Sequence, residues 1–276
     1  MSLPQNPSSS PEIAQNVLDV LKRGIVASLV TVIRAPQYVG RKLLVEETGA
    51  TSGSLGNELL DHFATGFSGS FLSTRAEAAV HKLSKMGAIE TGWDDAELLF
   101  ERIEPEPKIV ICGAGHVGAA LAQIAGVAGY KTILIDDRPG FLTRERFPDA
   151  AIQLVASSNW ETAVASAVGN GRGVSVAVVT RGHNEDELCL RAAVACLPDY
   201  VGLIGSRRRT NIVLQRLIAS GVDPEIVLGV RAPIGLDIGA VTPEEVAVSI
   251  FAEIVAIRRG GKGGSMSAWR RDQHAS

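Results

Sequence analysis

KIVICGAGHVGAALAQIAGVAGYKTILIDDR, residues 108–138, decides the fold of this chain. Its first five residues are a buried apolar run that reads as a strand over 108–112. Gly113, Gly115 and Gly118 then stand in G-x-G-x-x-G spacing, with Ala114, His116 and Val117 between them. A helix and a second strand, over 131–135, follow. The three glycines do different things. Gly113 makes the tight turn, Gly115 lets the backbone approach a pyrophosphate, and Gly118 lets the helix lie close to the sheet. The helix N-terminus presents unpaired N–H groups and a positive dipole end to an anion. Asp136 follows the second strand at about the 20-residue offset where a carboxylate meets a ribose hydroxyl. The segment predicts a Rossmann unit with a bound dinucleotide. An acid at Asp136 favours the free 2′-hydroxyl of NAD, and Arg138 just beyond it would suit the 2′-phosphate of NADP, so both cofactors stay open. Asp137 and Arg138 also read simply as the solvated start of a loop.

The chain has 276 residues, 46% of them hydrophobic, which allows one large or two ordinary domains. With 27 basic against 30 acidic residues there is no electrostatic signature of a nucleic-acid partner. No apolar run approaches the ~20 residues of a membrane span, and the opening MSLPQNPSSSPE lacks signal-peptide character, so a cytoplasmic location is expected. Cys112, Cys189 and Cys196 make no disulfide framework and read as buried, inert thiols. No Cys or His spacing suits a metal, and none is expected.

Punctuation divides the chain. Residues 1–11 and 260–276 are Pro/Ser- or Gly-rich and read as disordered. The prolines within 104–107 make a short stiff linker between an α+β domain over 12–103 and a Rossmann-like domain over 108–259. The fold class is therefore α/β, a C-terminal Rossmann-like parallel sheet with a smaller N-terminal α+β domain. In the first domain the patterns predict a helix over 12–23, strands over 25–33 and 42–46, a helix to about Phe63, a helix over 74–83 and a strand over 96–103. In the second, strands are expected over 151–155, 174–179, 200–204 and 226–230. Helices are expected over 159–168, 185–196, 207–220 and 243–258.

Ligands of such sheets sit at the carboxyl ends of the strands, which singles out the turn at 113–118 and the loops 180–184 and 205–209. In TRGHN, His183 follows an apolar strand and is the candidate for proton transfer, with a helix-terminal structural role as the alternative. In GSRRRT, Gly205, Ser206, Arg207 and Arg208 form a candidate anion or substrate site, in which three successive arginines cannot all face one ligand. His116 would touch a phosphate or serve only sterically.

GAGHVG, IDDRPGF, TRGHNEDE, GLIGSRRR and RAPIGLDIGAVTPEEVAVSIFAEIVAIRRG together resemble the XdhC/CoxI family of xanthine dehydrogenase accessory factors, strongly over 107–260. VTVIRAP and GSLGNELLD resemble a diverged form of that family's amino domain. The resemblance implies a maturation factor for molybdenum hydroxylases of the xanthine or carbon monoxide dehydrogenase type. Such a factor binds molybdenum cofactor, supports its sulfuration and delivers it to the apo-enzyme, with a cysteine desulfurase as a further partner. The motif positions would be Gly113, Gly115, His116, Gly118, Asp136, His183, Gly205, Ser206, Arg207 and Arg208. A pterin phosphate makes the same demands of the glycine turn as a nucleotide pyrophosphate.

One departure concerns the cysteines that many family members carry in the amino domain. GSLGNELLD and GAIETGWDD stand at the corresponding places, and no cysteine precedes Cys112. Thiolate ligation of molybdenum by that domain is thereby put in doubt, and Asn57 and Glu58 would offer only harder oxygen ligands. The alternative from another class is an NAD(P)-dependent oxidoreductase acting on a small substrate in the interdomain cleft, with His183 as proton donor. A regulatory nucleotide sensor is a third option. A homodimer is compatible with an exposed cleft, though no seam is visible in the sequence.

Overall fold

The computed structural model describes residues 10–74, 76–86, 93 and 95–267, apart from the side chains of Ser10, Met86 and His183. The ends expected to be disordered lie largely outside the described residues, as does most of GAIETGWDD. The chain divides between Pro105 and Glu106 into two compact units.

The first unit is a five-stranded antiparallel sheet in the order β3-β2-β1-β5-β4 with helices α1 (Ser10–Arg23) and α2 (Glu58–Ser73). The strands are β1 (Ala27–Arg34), β2 (Lys42–Glu46), β3 (Thr51–Ser54), β4 (Ala78–Lys82) and β5 (Glu97–Ile103). Ala27, Leu29 and Leu44 pack with Val17 and Val20 of α1, whereas Val30, Val32, Leu43 and Val45 pack with Leu60, Ala64 and Phe71 of α2. The central strand is therefore covered on both faces, which is why β1 reads as a continuous apolar run instead of an alternation.

Two expectations fail here. The helix expected over 74–83 is strand β4 followed by a single 3-10 turn, Leu83–Met86. AEAAVHK has helical propensity, but pairing Ala79 with Phe100 and His81 with Leu98 fixes it as an edge strand. His81 then packs its ring 4.6 Å from Phe67 and 5.8 Å from Phe100. Helix α2 also runs ten residues past Phe63, because Phe67 and Phe71 continue its buried stripe. Gly66 and Gly69 lie on its exposed side with open space around them.

The second unit holds β6 (Lys108–Cys112), α3 (His116–Val127), β7 (Lys131–Asp136), β8 (Gln153–Ala156), α4 (Trp160–Val168), β9 (Val174–Val178), α5 (His183–Ala195), β10 (Tyr200–Leu203), α6 (Arg207–Ala219), α7 (Pro224–Leu228) and α8 (Pro243–Arg258). Its five parallel strands run in the order β10-β9-β6-β7-β8. Helices α3 and α8 cover one face; α4, α5, α6 and α7 cover the other. Every residue of β9 is buried, as a strand sandwiched between helix layers requires.

The strand expected over 226–230 is the short helix α7. Asp223 caps it by accepting from the Glu225 amide at 2.9 Å, and Pro224 supplies a preset first turn. The β-branched run IVLGV misleads because its buried members, Val227 and Val230, fall three apart while Leu228 is exposed. The chain reaches the sheet only afterwards: Arg231 bridges Gly202, and the Ile234 amide donates to the Leu203 carbonyl at 3.0 Å.

Candidate functional site

Because β6 and β9 are neighbours and their following helices leave for opposite faces, a crevice must open at their carboxyl ends. A cleft of about 520 Å³ lies there. A second groove, about 550 Å³, runs between α4 and edge strand β8, but its lysines, Lys108 and Lys131, begin β6 and β7 at the other end of the sheet. Lys108 there donates to the Ala167 and Val168 carbonyls and closes the end of α4. The 520 Å³ cleft is the candidate site.

Its floor is the glycine turn. Gly113 has φ +112°, and a Cβ on it would lie 2.6 Å from the Val179 carbonyl oxygen. A Cβ on Gly118 would lie 1.8 Å from the Gly113 carbonyl oxygen, since α3 is pressed onto the turn. Gly115 differs. Its φ of −67° suits any residue, and a Cβ there would meet nothing within 4 Å. Neither backbone conformation nor packing demands glycine at 115; what its missing side chain leaves free is cleft. No side chain caps α3 behind Gly115, nor α5 behind Gly182, whereas Asn159, Ser206 and Thr242 cap α4, α6 and α8. The helix ends flanking the switch point thus keep N–H groups for an anion.

Asp136 is placed otherwise than a ribose-binding acid. It is 1% exposed, and its two oxygens accept four hydrogen bonds, from the Ala114 amide (2.7 Å), the Arg138 amide (2.9 Å), Arg138 Nε (2.8 Å) and Arg138 Nη2 (2.9 Å). That count uses the lone pairs of a carboxylate. Burial pushes its pKa up, but the Arg138 guanidinium and the two amides outweigh burial and hold it at about 2. The Ala114 carbonyl accepts from Arg146 Nη2 at 3.2 Å, so the turn is gripped on both sides of one residue. The Arg138 guanidinium also lies 3.7 Å from the centroid of Phe141, a partly exposed ring on the cleft wall.

Asp137 bonds Arg181 in a two-pronged pair at 3.0 and 2.8 Å. Asp186, fully buried, accepts from the Thr180 hydroxyl and from Arg209 Nη2. Arg138, Arg181 and Arg209 thus each reach the cleft already paired with a carboxylate.

Of the residues expected at a site, Gly113, Gly115, His116, Val117, Asp136, Asp137, Arg138 and Gly205 line this cleft. Ala114 and Gly118 shape the turn behind it. Ser206 caps α6 by accepting from the Arg209 amide, and Arg207 and Arg208 are exposed and do not line the cleft. His183 begins α5, and its side chain lies outside the described residues. Sequence reading missed Glu185, Phe141, Trp160 and Pro243, and it marked the loops of Arg181 and Arg209 without choosing those two residues; all six are on the cleft wall. Arg209 had a signal: helical side chains lean toward the N-terminus, so the third residue of α6 overhangs its first turn. Asn57 spends its side-chain oxygen on the Leu59 and Leu60 amides as the cap of α2. Of the three thiols expected to be buried, Cys112 and Cys189 are fully so, and burial, with Cys112 beside it, pushes the Cys189 thiol up, whereas Cys196, at the end of α5, is only partly buried. Among the described residues no group of three or more His, Cys, Asp or Glu could hold a metal ion, and no helix is long and apolar enough to cross a membrane.

The strand order, the crossover helices and the glycine turn define a Rossmann-type α/β unit. Residues 109–254 match the family described as the XdhC Rossmann domain, and the chain belongs to that family. It is similar to the uncharacterized protein YqeB of Escherichia coli K12, at 30% identity over 82% of this chain and 42% of that protein. It is similar to a probable xanthine dehydrogenase subunit of Bacillus subtilis 168, at 32% identity over 59% of this chain and 46% of that protein. It also resembles the molybdenum cofactor insertion chaperone PaoD of E. coli K12, at 25% identity over 61% of this chain and 45% of that protein. The chain spans less than half the length of these curated relatives. A crystal structure described as a xanthine dehydrogenase from Bacillus halodurans superposes with a TM-score of 0.65 over 95% of this chain and 68% of that one. At 21% identity this likeness is one of fold.

Proposed function

We propose that this chain is an accessory factor in the maturation of molybdenum hydroxylases, and that its Rossmann cleft receives a phosphate-bearing ligand, either NAD(P) or the pterin phosphate of molybdenum cofactor carried as cargo. The observation that carries the binding part is Gly115, a glycine that nothing in the protein requires, set at the uncapped start of α3 and open to the cleft. The maturation part is supported by family membership and by the relative named as a molybdenum cofactor insertion chaperone. The client would be an apo molybdenum hydroxylase in the cytoplasm, with a cysteine desulfurase as the source of sulfur.

The residues fit the parts of such ligands unequally. The glycine turn and the free N–H groups of α3 suit a phosphate or pyrophosphate. Asp136 does not suit the ribose contact, because its acceptor sites are spent within the protein. Thiolate ligation of molybdenum in the cleft does not fit either: residues 1–105 contain no cysteine, Cys112 and Cys189 are sealed in the core, and the partly exposed Cys196 does not line the cleft. The cargo would thus be held by its phosphate end through noncovalent contacts.

Calorimetric titration of the wild type and of Gly115→Val with NAD, NADP and isolated molybdenum cofactor tests this. The wild type should bind at least one of them, and the variant should lose that binding while its thermal midpoint stays within a few degrees of wild type. Unchanged affinity in the variant would remove the cleft from consideration. Binding of nucleotide with turnover of a small substrate, and none of the pterin, would replace the accessory role by a dinucleotide-dependent enzyme.

A further inference from the structure

We propose that Arg181 is the residue of this cleft that takes hold of a ligand phosphate, and that Asp137 holds it across the glycine turn beforehand; this rests on the reading that the cleft receives a phosphate-bearing ligand. Asp137 follows β7 and Arg181 lies just beyond β9, while β6 lies between those two strands. A bond from one loop to the other therefore passes over the carboxyl end of β6, where Gly113 and Gly115 form the floor. Both residues line the cleft, and their two hydrogen bonds, 3.0 and 2.8 Å, span it above that floor. A ligand lying along the turn from the β7 side to the β9 side meets this bridge where its pyrophosphate would rest.

Among the arginines of the cleft, Arg181 is the one that can change partners cheaply. Arg138 is locked onto a carboxylate 1% exposed and Arg209 onto one 0% exposed, so withdrawing either takes a guanidinium from a buried carboxylate. Arg181 and Asp137 are 47% and 23% exposed, and a pair open to water contributes little. Asp137 also keeps a second cation, Arg138 Nε at 3.8 Å, when Arg181 leaves. Glu185, 3.9 Å from Arg181, stays beside the guanidinium and limits how far it swings. Exchange of a carboxylate for a phosphate preserves the forked geometry a guanidinium prefers.

The test is calorimetric titration of the full chain with NAD and with inorganic pyrophosphate, on the wild type, Asp137→Asn, Arg181→Gln and the double variant. Asp137→Asn should bind about two- to five-fold tighter, since the competing carboxylate is gone. Arg181→Gln should bind about tenfold weaker, and the double variant should match it. Because the pair is exposed, thermal midpoints should stay together. Wild-type binding with no gain in Asp137→Asn overturns the assignment of Arg181. So does a gain that persists in the Arg181→Gln background, which would reflect only the removal of a negative charge. If no variant binds either probe, the phosphate reading of the cleft falls as well.

Discussion

Asp136→Asn puts a number on the buried carboxylate that fastens the glycine turn to β7. In the native unit the group is 1% exposed and lies at a pKa of about 2, against an ordinary 3.8. At 1.36 kcal/mol per unit, that shift corresponds to about 2.5 kcal/mol of folding free energy carried by the ionised form. Asparagine loses the charge opposite Arg138 and must turn its NH₂ toward a donor, either the guanidinium or the Ala114 amide. Breaking a buried pair from one side typically costs about 3–5 kcal/mol. The two routes bracket an expected loss of about 2.5–5 kcal/mol, confined to the second unit. At about 2–4 °C per kcal/mol this is a fall of roughly 5–20 °C in its midpoint. The folded pKa is depressed, so the stabilisation is fully present above the unfolded value, near 4, and is lost as pH falls toward about 2. Urea unfolding followed through amide resonances of the second unit, between pH 7 and pH 2.5, should therefore show a wide gap between wild type and variant that narrows in acid. A gap below about 1 kcal/mol at neutral pH, or one that does not change on acidification, would refute the role assigned to Asp136.

Gly118→Ala should destabilise the second unit by several kcal/mol or displace α3, because the new methyl would fall 1.8 Å from the Gly113 carbonyl, whereas Gly115→Ala should cost under about 1 kcal/mol; differential scanning calorimetry separates them. Replacing Arg207 and Arg208 together by alanine should leave the affinity of any cleft ligand within about twofold, since both side chains are exposed and off the cleft wall. Arg209→Met should instead destabilise by about 3–5 kcal/mol, because the buried Asp186 loses the Arg209 guanidinium, and chemical denaturation reads the difference.

Much of the second unit was legible because its signals are local. A continuous apolar strand, glycines at fixed offsets and a capped helix start are written in consecutive residues, and α8 begins and ends at the residues that Thr242, Pro243 and Arg258 predict. The first unit was harder. The segment that forms β4 has a helix former's composition and becomes a strand only because β5 offers it a partner. Strand β3, Thr51–Ser54, has no apolar alternation and was invisible for the same reason. At the cleft, the sequence marked the right loops and, within GSRRRT, the two arginines beside the one on the wall. Which residue of a run faces a crevice depends on helix phase, and moving the start of α6 by a single residue turns its side chains by about one hundred degrees.

The sequence by itself determined that this chain carries a Rossmann unit, that a glycine turn opens the helix after its first strand, and that its first 105 residues bring no thiol to any site. Those properties follow from residue types at short spacing, where sterics and hydrogen-bonding capacity act within a few bonds. Only the tertiary structure decided that Asp136 faces inward to Ala114 and Arg138, and that Asp137 meets Arg181 from 44 residues away. A carboxylate's partner is set by which loops the sheet order brings side by side, and by how much water remains to compete. Neither quantity exists until the strands are in place.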